Sequence, residues 1–359
     1  MPNAARLQNL WIIAGILIAV VTVAKNIHWF ASDIGLMCIL GFCSIFGYFR
    51  WRLLKRQKTP ETKGNIKKIK ASDLQRIRQG IDENIIGQSE GVISILKILK
   101  RNLGMVNSNR HLGSYLLVGP TGTGKTYFAQ QLAEGLYGRD SLLNLAMNQQ
   151  GLKGEHVIEI LLKALKKDPY RVVLLDEIDK ASQEVYSSLY QFMESGQIMD
   201  QQSGEWFHCP GLVIIATTNA GSDNDLSSET NQNNYALMEH IAANSNMPKA
   251  FLSRFDGIVW FGQLSPSDVV QIAIMQVMSY YRNHGVTVNY LSPEAIIEIM
   301  KENQRFKTFG VRQLIQVVRH KSDSVISLAK SNGWDEVNII SDQKGNFTPQ
   351  GTKKKRMAA

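Results

Sequence analysis

The sequence predicts an α/β protein: a parallel sheet with helices on both faces, a small α-rich domain after it and a two-helix apolar hairpin before it. Three observations predict this. Short, mostly apolar runs without strict alternation (residues 115–118, 142–145, 171–176 and 212–217) are interleaved with segments of helical period, as buried parallel strands joined by crossover helices would be. Beyond Gln263 the texture changes to long amphipathic patterns. Ahead of both, two uncharged apolar runs occupy much of the first fifty residues.

Those runs come first along the chain. Residues 10–24 carry no charge and only Thr22 as a polar side chain, and residues 34–49 are likewise uncharged. Each is slightly shorter than the ~20 residues that cross a bilayer core, but Leu7, Trp29 and Phe30 can complete them. Trp11, Trp29, Tyr48 and Trp51 sit near their ends, where interfacial aromatics belong. Two other readings stay open: a signal peptide with a poor cleavage site at Thr22-Val-Ala24, or two buried helices of a soluble domain. A basic flank follows at once and favours a membrane hairpin. Between Arg50 and Lys70 nine Lys/Arg face one acid, Glu61, a charge of +8. Lys/Arg excess is retained in the cytoplasm, so the expected topology is an inner (cytoplasmic) membrane hairpin with both termini and the following domain cytoplasmic.

Residues 73–103 read as helical, interrupted around Ile85-Ile-Gly-Gln88, and a polar loop leads to the strand at 115–118. That strand breaks at Gly119 and a helical pattern begins near Lys125. The loop Gly119-Pro120-Thr121-Gly122-Thr123-Gly124-Lys125-Thr126 fits the phosphate-binding pattern G-x-x-x-x-G-K-[ST] in the context that pattern requires. Glycines let backbone N–H groups turn toward phosphate oxygens, and the helix N-terminus adds partial positive charge. Lys125 would reach the β- and γ-phosphates of ATP, and the Thr126 hydroxyl would ligate Mg²⁺.

A strand at 142–145 and a helix at 155–167, stopped by Asp168-Pro169, precede Val172-Val-Leu-Leu-Asp176-Glu177. A buried strand ending in two acids suits a Walker B site. Asp176 would hold Mg²⁺ through its water shell, and Glu177 would polarise the attacking water. A helix at 184–194 is followed by Ile214-Ile-Ala-Thr-Thr-Asn219, a strand whose terminal amide can orient water against the γ-phosphate. Residues 223–234 read as an exposed loop. In the small domain the helical patterns lie at 266–284, 293–303 and 310–330, and the runs 286–288 and 337–340 can pair as a small sheet. The expected segments are thus 1–50 hairpin, 51–72 basic linker, 73–262 large domain, 263–342 lid and 343–359 basic tail.

Composition excludes several alternatives. Three cysteines in 359 residues, Cys38 and Cys43 in an apolar run and Cys209 alone, make neither a disulfide framework nor a zinc pattern. The linker supplies +8 of the chain's +9, and Lys353–Arg356 a further +4, which leaves the remainder at −3. The basic residues therefore adjoin the membrane and the tail, and no specific nucleic-acid partner is expected.

Taken together, Ile85-Ile-Gly-Gln88, the phosphate loop, Leu174-Leu-Asp-Glu-Ile-Asp-Lys-Ala181, Asn219, Phe251-Leu-Ser-Arg-Phe-Asp256 and Phe309-Gly-Val-Arg-Gln-Leu314 resemble, in order and spacing, one AAA+ module of the Clp-type unfoldases. The likeness is greatest to the second module of the disaggregase branch and covers about residues 73–342. It implies a P-loop AAA+ sheet with an α-helical lid. It also implies adenine contacts from Ile85 and Ile86, an arginine finger at Arg254 acting on a neighbouring subunit, and a sensor-2 arginine at Arg312. A guanidinium suits both jobs because its planar fork pairs phosphate oxygens and stays charged. A finger acting in trans implies a ring, by analogy a homohexamer.

Gly151-Leu152-Lys153-Gly154 is similar in position to the Gly-aromatic-x-Gly pore loop that grips threaded polypeptide, with Leu152 in place of the aromatic. Leucine supplies less contact area and no planar face. The sequence has no H-E-x-x-H and no Ile-Gly-Phe, and its one Ile-Gly-Leu, Ile34-Gly35-Leu36, lies inside the second apolar run, so the ATPase region carries no peptidase-docking tripeptide. A single module is expected, with the apolar hairpin in the position where a leading substrate domain or first ATPase module would stand. The expectation is a membrane-anchored ATPase that remodels, unfolds or translocates protein at the cytoplasmic face. The alternatives are a nucleotide-gated assembly scaffold of a membrane machine and, third, a nucleic-acid motor or loader.

Overall fold

The computed structural model describes residues 69, 71–104, 111–201, 203–222, 234–302, 310–342 and 344–352. The hairpin at 1–50, nearly all of the basic linker, almost all of the loop at 223–234, Phe309 and the cluster Lys353–Arg356 lie outside the described residues. Among the described residues no helix is long and apolar enough to cross a membrane.

Five parallel strands form the central sheet: β1 (Gly113–Val118), β2 (Leu142–Ala146), β3 (Val172–Asp176), β6 (Val213–Thr218) and β7 (Gly257–Trp260), in the order β2-β3-β6-β1-β7. Successive side chains point to opposite faces, and both faces are covered, which is why these strands are mostly apolar rather than alternating. Tyr115 and Leu117 of β1 face one layer, while Leu116 and Val118 face the other. The first layer holds α1 (Ala71–Asn84), α2 (Ser89–Leu103) and α3 (Lys125–Tyr137), packed through Ile81, Ile95, Leu99, Phe128 and Leu132. The second holds α4 (Gly154–Lys167), α5 (Gln183–Ser195), α6 (Asn234–Ala243) and α7 (Lys249–Leu252), packed through Leu161, Tyr186, Leu189, Leu237 and Phe251. Sandwiched on both faces, the sheet leaves its strand ends as the places where polar chemistry can meet solvent.

Sequence patterning left several elements unread. The edge strand β7 is four residues long and pairs only with β1. A hairpin of β4 (Gln197–Met199) and β5 (Trp206–His208) has strands of three residues, too short to display a period. Helices α6 and α7 were also unanticipated.

The small domain opens with α8 (Pro266–Asn283). Its start is set by a reciprocal capping box between Ser265 and Asp268, with Pro266 pre-shaped for the first turn. It continues through β8 (Thr287–Leu291), α9 (Pro293–Glu302), α10 (Val311–Ser331), β9 (Glu336–Ser341) and β10 (Phe347–Thr352). Strands β8 and β9 pair in parallel, as the two β-branched runs suggested. The expected basic tail needs correction. Residues 347–352 form a third strand antiparallel to β9, and Phe347 is buried in the small-domain core, so that domain extends to Thr352. Gln and Gly residues beside a lysine run concealed this strand.

Candidate nucleotide site

The C-terminal ends of three adjacent strands, β3, β6 and β1, converge on one place, and the residues that follow them build the site. After β1 the chain must turn at once beneath β7. Gly119 has φ +150°, and a Cβ there would lie 2.0 Å from the Phe261 carbonyl oxygen, so no side chain fits. Gly124, at φ +98°, then delivers the backbone into α3 with its first N–H groups directed at the loop.

Lys125 begins α3 and is buried. Its Nζ donates to the carbonyls of Gly119 at 2.6 Å and Pro120 at 2.8 Å, and to Oδ1 of Asn219 at 2.9 Å. Burial pushes its pKa down to about 8, against the upward pull of Asp176. The ammonium thus rests on acceptors that a phosphate oxygen can replace, and Asn219 at the end of β6 is already beside it.

Thr126 Oγ1 lies 3.3 Å from Oδ1 of Asp176 at the end of β3, so a hydroxyl and a carboxylate sit together where Mg²⁺ chemistry requires them. Thr217, a residue not singled out from the sequence, joins the two acids. Its hydroxyl donates to Asp176 Oδ1 at 2.5 Å and accepts the Glu177 N–H at 3.0 Å. Its neighbour Thr218 donates to Asp179 at 2.8 Å. The available signal was a pair of hydroxyls closing an otherwise aliphatic strand. Glu177 adopts φ +56°, a left-handed conformation that costs a non-glycine residue about 1–3 kcal/mol and commonly marks a functional turn. Its carboxylate accepts a hydrogen bond from Asn148 Nδ2 at 2.8 Å, a second partner absent from the sequence reading.

The apolar end of the cleft is formed by Ile85 and Ile86 after α1, with Leu264, Ile272 and Ile315 from the small domain. Gln88, buried, holds that turn in place by donating to the Gly262 carbonyl at 2.9 Å. Arg312, in the first turn of α10, lines the same cleft from the small-domain side. The cavity is about 410 Å³, phosphate chemistry at one end and aliphatic side chains at the other, with dimensions and polarity suited to a nucleotide. Residues fit for both expected groups are therefore present: backbone and Lys125 for phosphates, Thr126 and Asp176 for Mg²⁺.

Residues 138–258 match the family model described as AAA domain (Cdc48 subfamily). Over 327 residues the chain is 32% identical to the ATP-dependent Clp protease ATP-binding subunit ClpE of Streptococcus pneumoniae, covering 83% of this chain and 42% of that protein. Over 301 residues it is 29% identical to ClpE of Bacillus subtilis (77% and 43%). Over 276 residues it is 29% identical to the chaperone protein ClpB 1 of Nostoc (71% and 31%). The chain carries an AAA+ ATPase module of the Clp type. It spans less than half the length of these relatives.

In this AAA+ module Arg254 does not share the cleft. It lies in the turn between α7 and β7, where its carbonyl accepts from Ser114 Oγ at 3.0 Å. Ser114 is at the opposite end of β1 from Gly119; at about 3.3 Å per residue the strand separates them by about 16 Å. Arg254 thus lies at the opposite strand end from the phosphate loop of this chain. Its guanidinium is held by α5 instead: Nη2 donates to the Tyr190 hydroxyl and Nε pairs with Glu194.

Gly151, Leu152 and Lys153 border a second cavity of about 460 Å³ with Asn148, Lys180 and Glu184. Leu152 is half-buried and packs against the second-layer core. Gly154 is the first residue of α4, and a Cβ there would lie 2.2 Å from Ser188 Oγ and 2.7 Å from the Glu184 carbonyl. The last glycine of the pore-loop-like segment thus has a packing reason, the close approach of α4 to α5.

Proposed function

We propose that the chain is a membrane-anchored AAA+ ATPase that assembles as a ring, by family analogy a homohexamer, and remodels, unfolds or translocates protein at the cytoplasmic face. The observation that carries the reading is the convergence of Lys125, Thr126, Asp176, Glu177, Asn219 and Arg312 on one cleft. In the mechanism, Lys125 and the loop N–H groups would hold the phosphates of ATP, and Thr126, with Asp176 through water, would hold Mg²⁺, which would supply charge neutralisation for phosphoryl transfer. Glu177, aimed through its turn and released from Asn148, accepts a proton from the attacking water, while Asn219 orients that water. Arg312 pairs phosphate from the lid, Ile85 and Ile86 pack on adenine, and Arg254 serves the neighbour's site.

The membrane part of the proposal rests on the apolar runs at 10–24 and 34–49 and the +8 segment behind them. A second reading, an assembly scaffold in which nucleotide gates ring formation, is favoured by the partial packing of Leu152 against the core. Full-length protein in detergent separates the two. Stimulation of ATPase activity by an unfolded polypeptide, and not by DNA, supports remodelling; hydrolysis indifferent to every polymer supports the scaffold. Glu177→Gln is expected to bind ATP and hydrolyse it poorly, and normal turnover in that variant refutes the site assignment. Carbonate-resistant membrane association is expected to vanish on deleting residues 1–50.

A further inference from the structure

The finger reading leaves open how a long, flexible side chain is held ready at a subunit edge. An arginine on a mobile stem has many rotamers, and ordering it during the reaction carries an entropic cost. Around Arg254 both the backbone and the side chain are constrained. Phe251 and Phe255 are buried on either side of it, their rings in edge contact at 5.4 Å, and Phe251 also packs on Tyr186 of α5 at 5.1 Å. The Ser114 hydroxyl fixes the Arg254 carbonyl, and Asp256 accepts from Ser114 N at 2.8 Å. The side chain then lies across Tyr190, its guanidinium carbon 4.6 Å from the ring centroid, while Nη2 bonds the Tyr190 hydroxyl and Nε pairs with Glu194.

Tyr190 and Glu194 are four residues apart, so they stand on one face of α5, one turn from each other. The helix beneath them is rigid: Val185, Tyr186, Leu189, Phe192 and Met193 are buried, Ser182 caps its start, and Gly196 ends it in a left-handed turn. A guanidinium is a rigid plane, so gripping it at Nε and Nη2 and from one face orients the whole group. As an ordinary exposed ion pair, the Arg254–Glu194 contact would contribute little, because Glu194 is half exposed and screened. Its geometry is better explained by orientation than by stability.

We propose that Tyr190 and Glu194 are positioning residues that hold Arg254 in the orientation a neighbouring subunit's γ-phosphate meets. This rests on the reading of Arg254 as a finger acting in trans. The cation–π face, the hydroxyl and the carboxylate together replace a search among rotamers by one presented pose.

The test uses the full chain in detergent, with kcat, KM for ATP, nucleotide affinity and ring size measured for each variant. Tyr190→Phe and Glu194→Gln keep side-chain size, so folding is expected to survive. Their combination is expected to lower kcat roughly 5–30-fold, the scale of freeing one long side chain, at unchanged KM, affinity and assembly. In an Arg254→Ala background the same pair is expected to leave ring size, nucleotide affinity and melting temperature unchanged, whereas a merely structural role would shift them there too. Mixing the double variant with Glu177→Gln subunits, whose fingers are intact, is expected to restore turnover at the variant's own sites. Full kcat in the double variant, or a kcat above wild type, overturns the positioning role while leaving the finger reading intact if Arg254→Ala is inactive. Normal hydrolysis by Arg254→Ala overturns the finger reading itself.

Discussion

Gly310 joins the lid to the phosphate loop, and replacing it by alanine tests whether that contact sets nucleotide affinity. Its backbone sits at φ +57°, ψ −147°, a region used almost only by glycine, where another residue costs about 1–3 kcal/mol. A Cβ there would lie 2.6 Å from Gly122 Cα and 2.7 Å from the Thr121 carbonyl oxygen, both backbone atoms unable to swing aside. The next N–H, of Val311, donates to the Gly122 carbonyl at 3.3 Å, so α10 begins directly on the loop. The substitution must lift the lid, and with it Arg312, Val311 and Ile315 of the cleft. If the strain falls on the closed state, about 1–3 kcal/mol corresponds to roughly a 5–150-fold loss of ATP affinity. Titration with a fluorescent nucleotide measures it. Gly285→Ala is the control, because Gly285 has φ +79° with nothing within 4 Å of an added Cβ and lies in a small-domain turn away from the cleft. Wild-type affinity in Gly310→Ala, at unchanged thermal stability, would refute the argument.

Three further outcomes follow from the site. Thr217→Val removes the hydroxyl joining Asp176 to the Glu177 N–H; loss of a charge-assisted hydrogen bond of about 1.5–3 kcal/mol predicts a kcat roughly 10–150-fold lower, read by steady-state hydrolysis. Gly154→Ala overpacks α4 against α5 by about 1–3 kcal/mol, so its melting temperature is expected to fall by several degrees, whereas a glycine kept only for loop mobility would leave it unchanged. Lys125 starts from a pKa near 8 because burial disfavours its charge, so ATP affinity is expected to be level below that pH and to weaken as pH rises through it. Bound phosphate raises that pKa, so calorimetry near pH 8.5 should detect proton uptake on binding.

What was legible in the sequence was whatever the backbone demands locally. The strand–loop–helix around Lys125 could be read because glycine spacing, an apolar run and a helical period all constrain the same few residues. The strand ending in Asp176 and Glu177 and the strand before Asn219 were readable for the same reason, a fully buried run terminating abruptly in polar groups. Elements three or four residues long, such as β4, β5 and β7, carry no period and so no signal. β10 was hidden for a different reason: its residues include Pro349 and Gly351, which count against a strand until β9 is there to pair with.

Side-chain company was harder to read than backbone course, and the site shows why. Thr217 and Asn148 are neighbours of Glu177 only because β6 and β2 flank β3, an adjacency that exists in the sheet order and not in the chain. The same holds at the other end of the strands. The motif around Arg254 gives its backbone position, but Tyr190 and Glu194 reach it from a helix some sixty residues earlier. Gly154 shows the converse: a glycine in a motif of loop appearance sits where two helices touch, and the constraint it answers is Ser188 on the facing helix. Local pattern therefore locates the phosphate chemistry, while the residues that orient that chemistry emerge only once the sheet order brings separate strands and helices together.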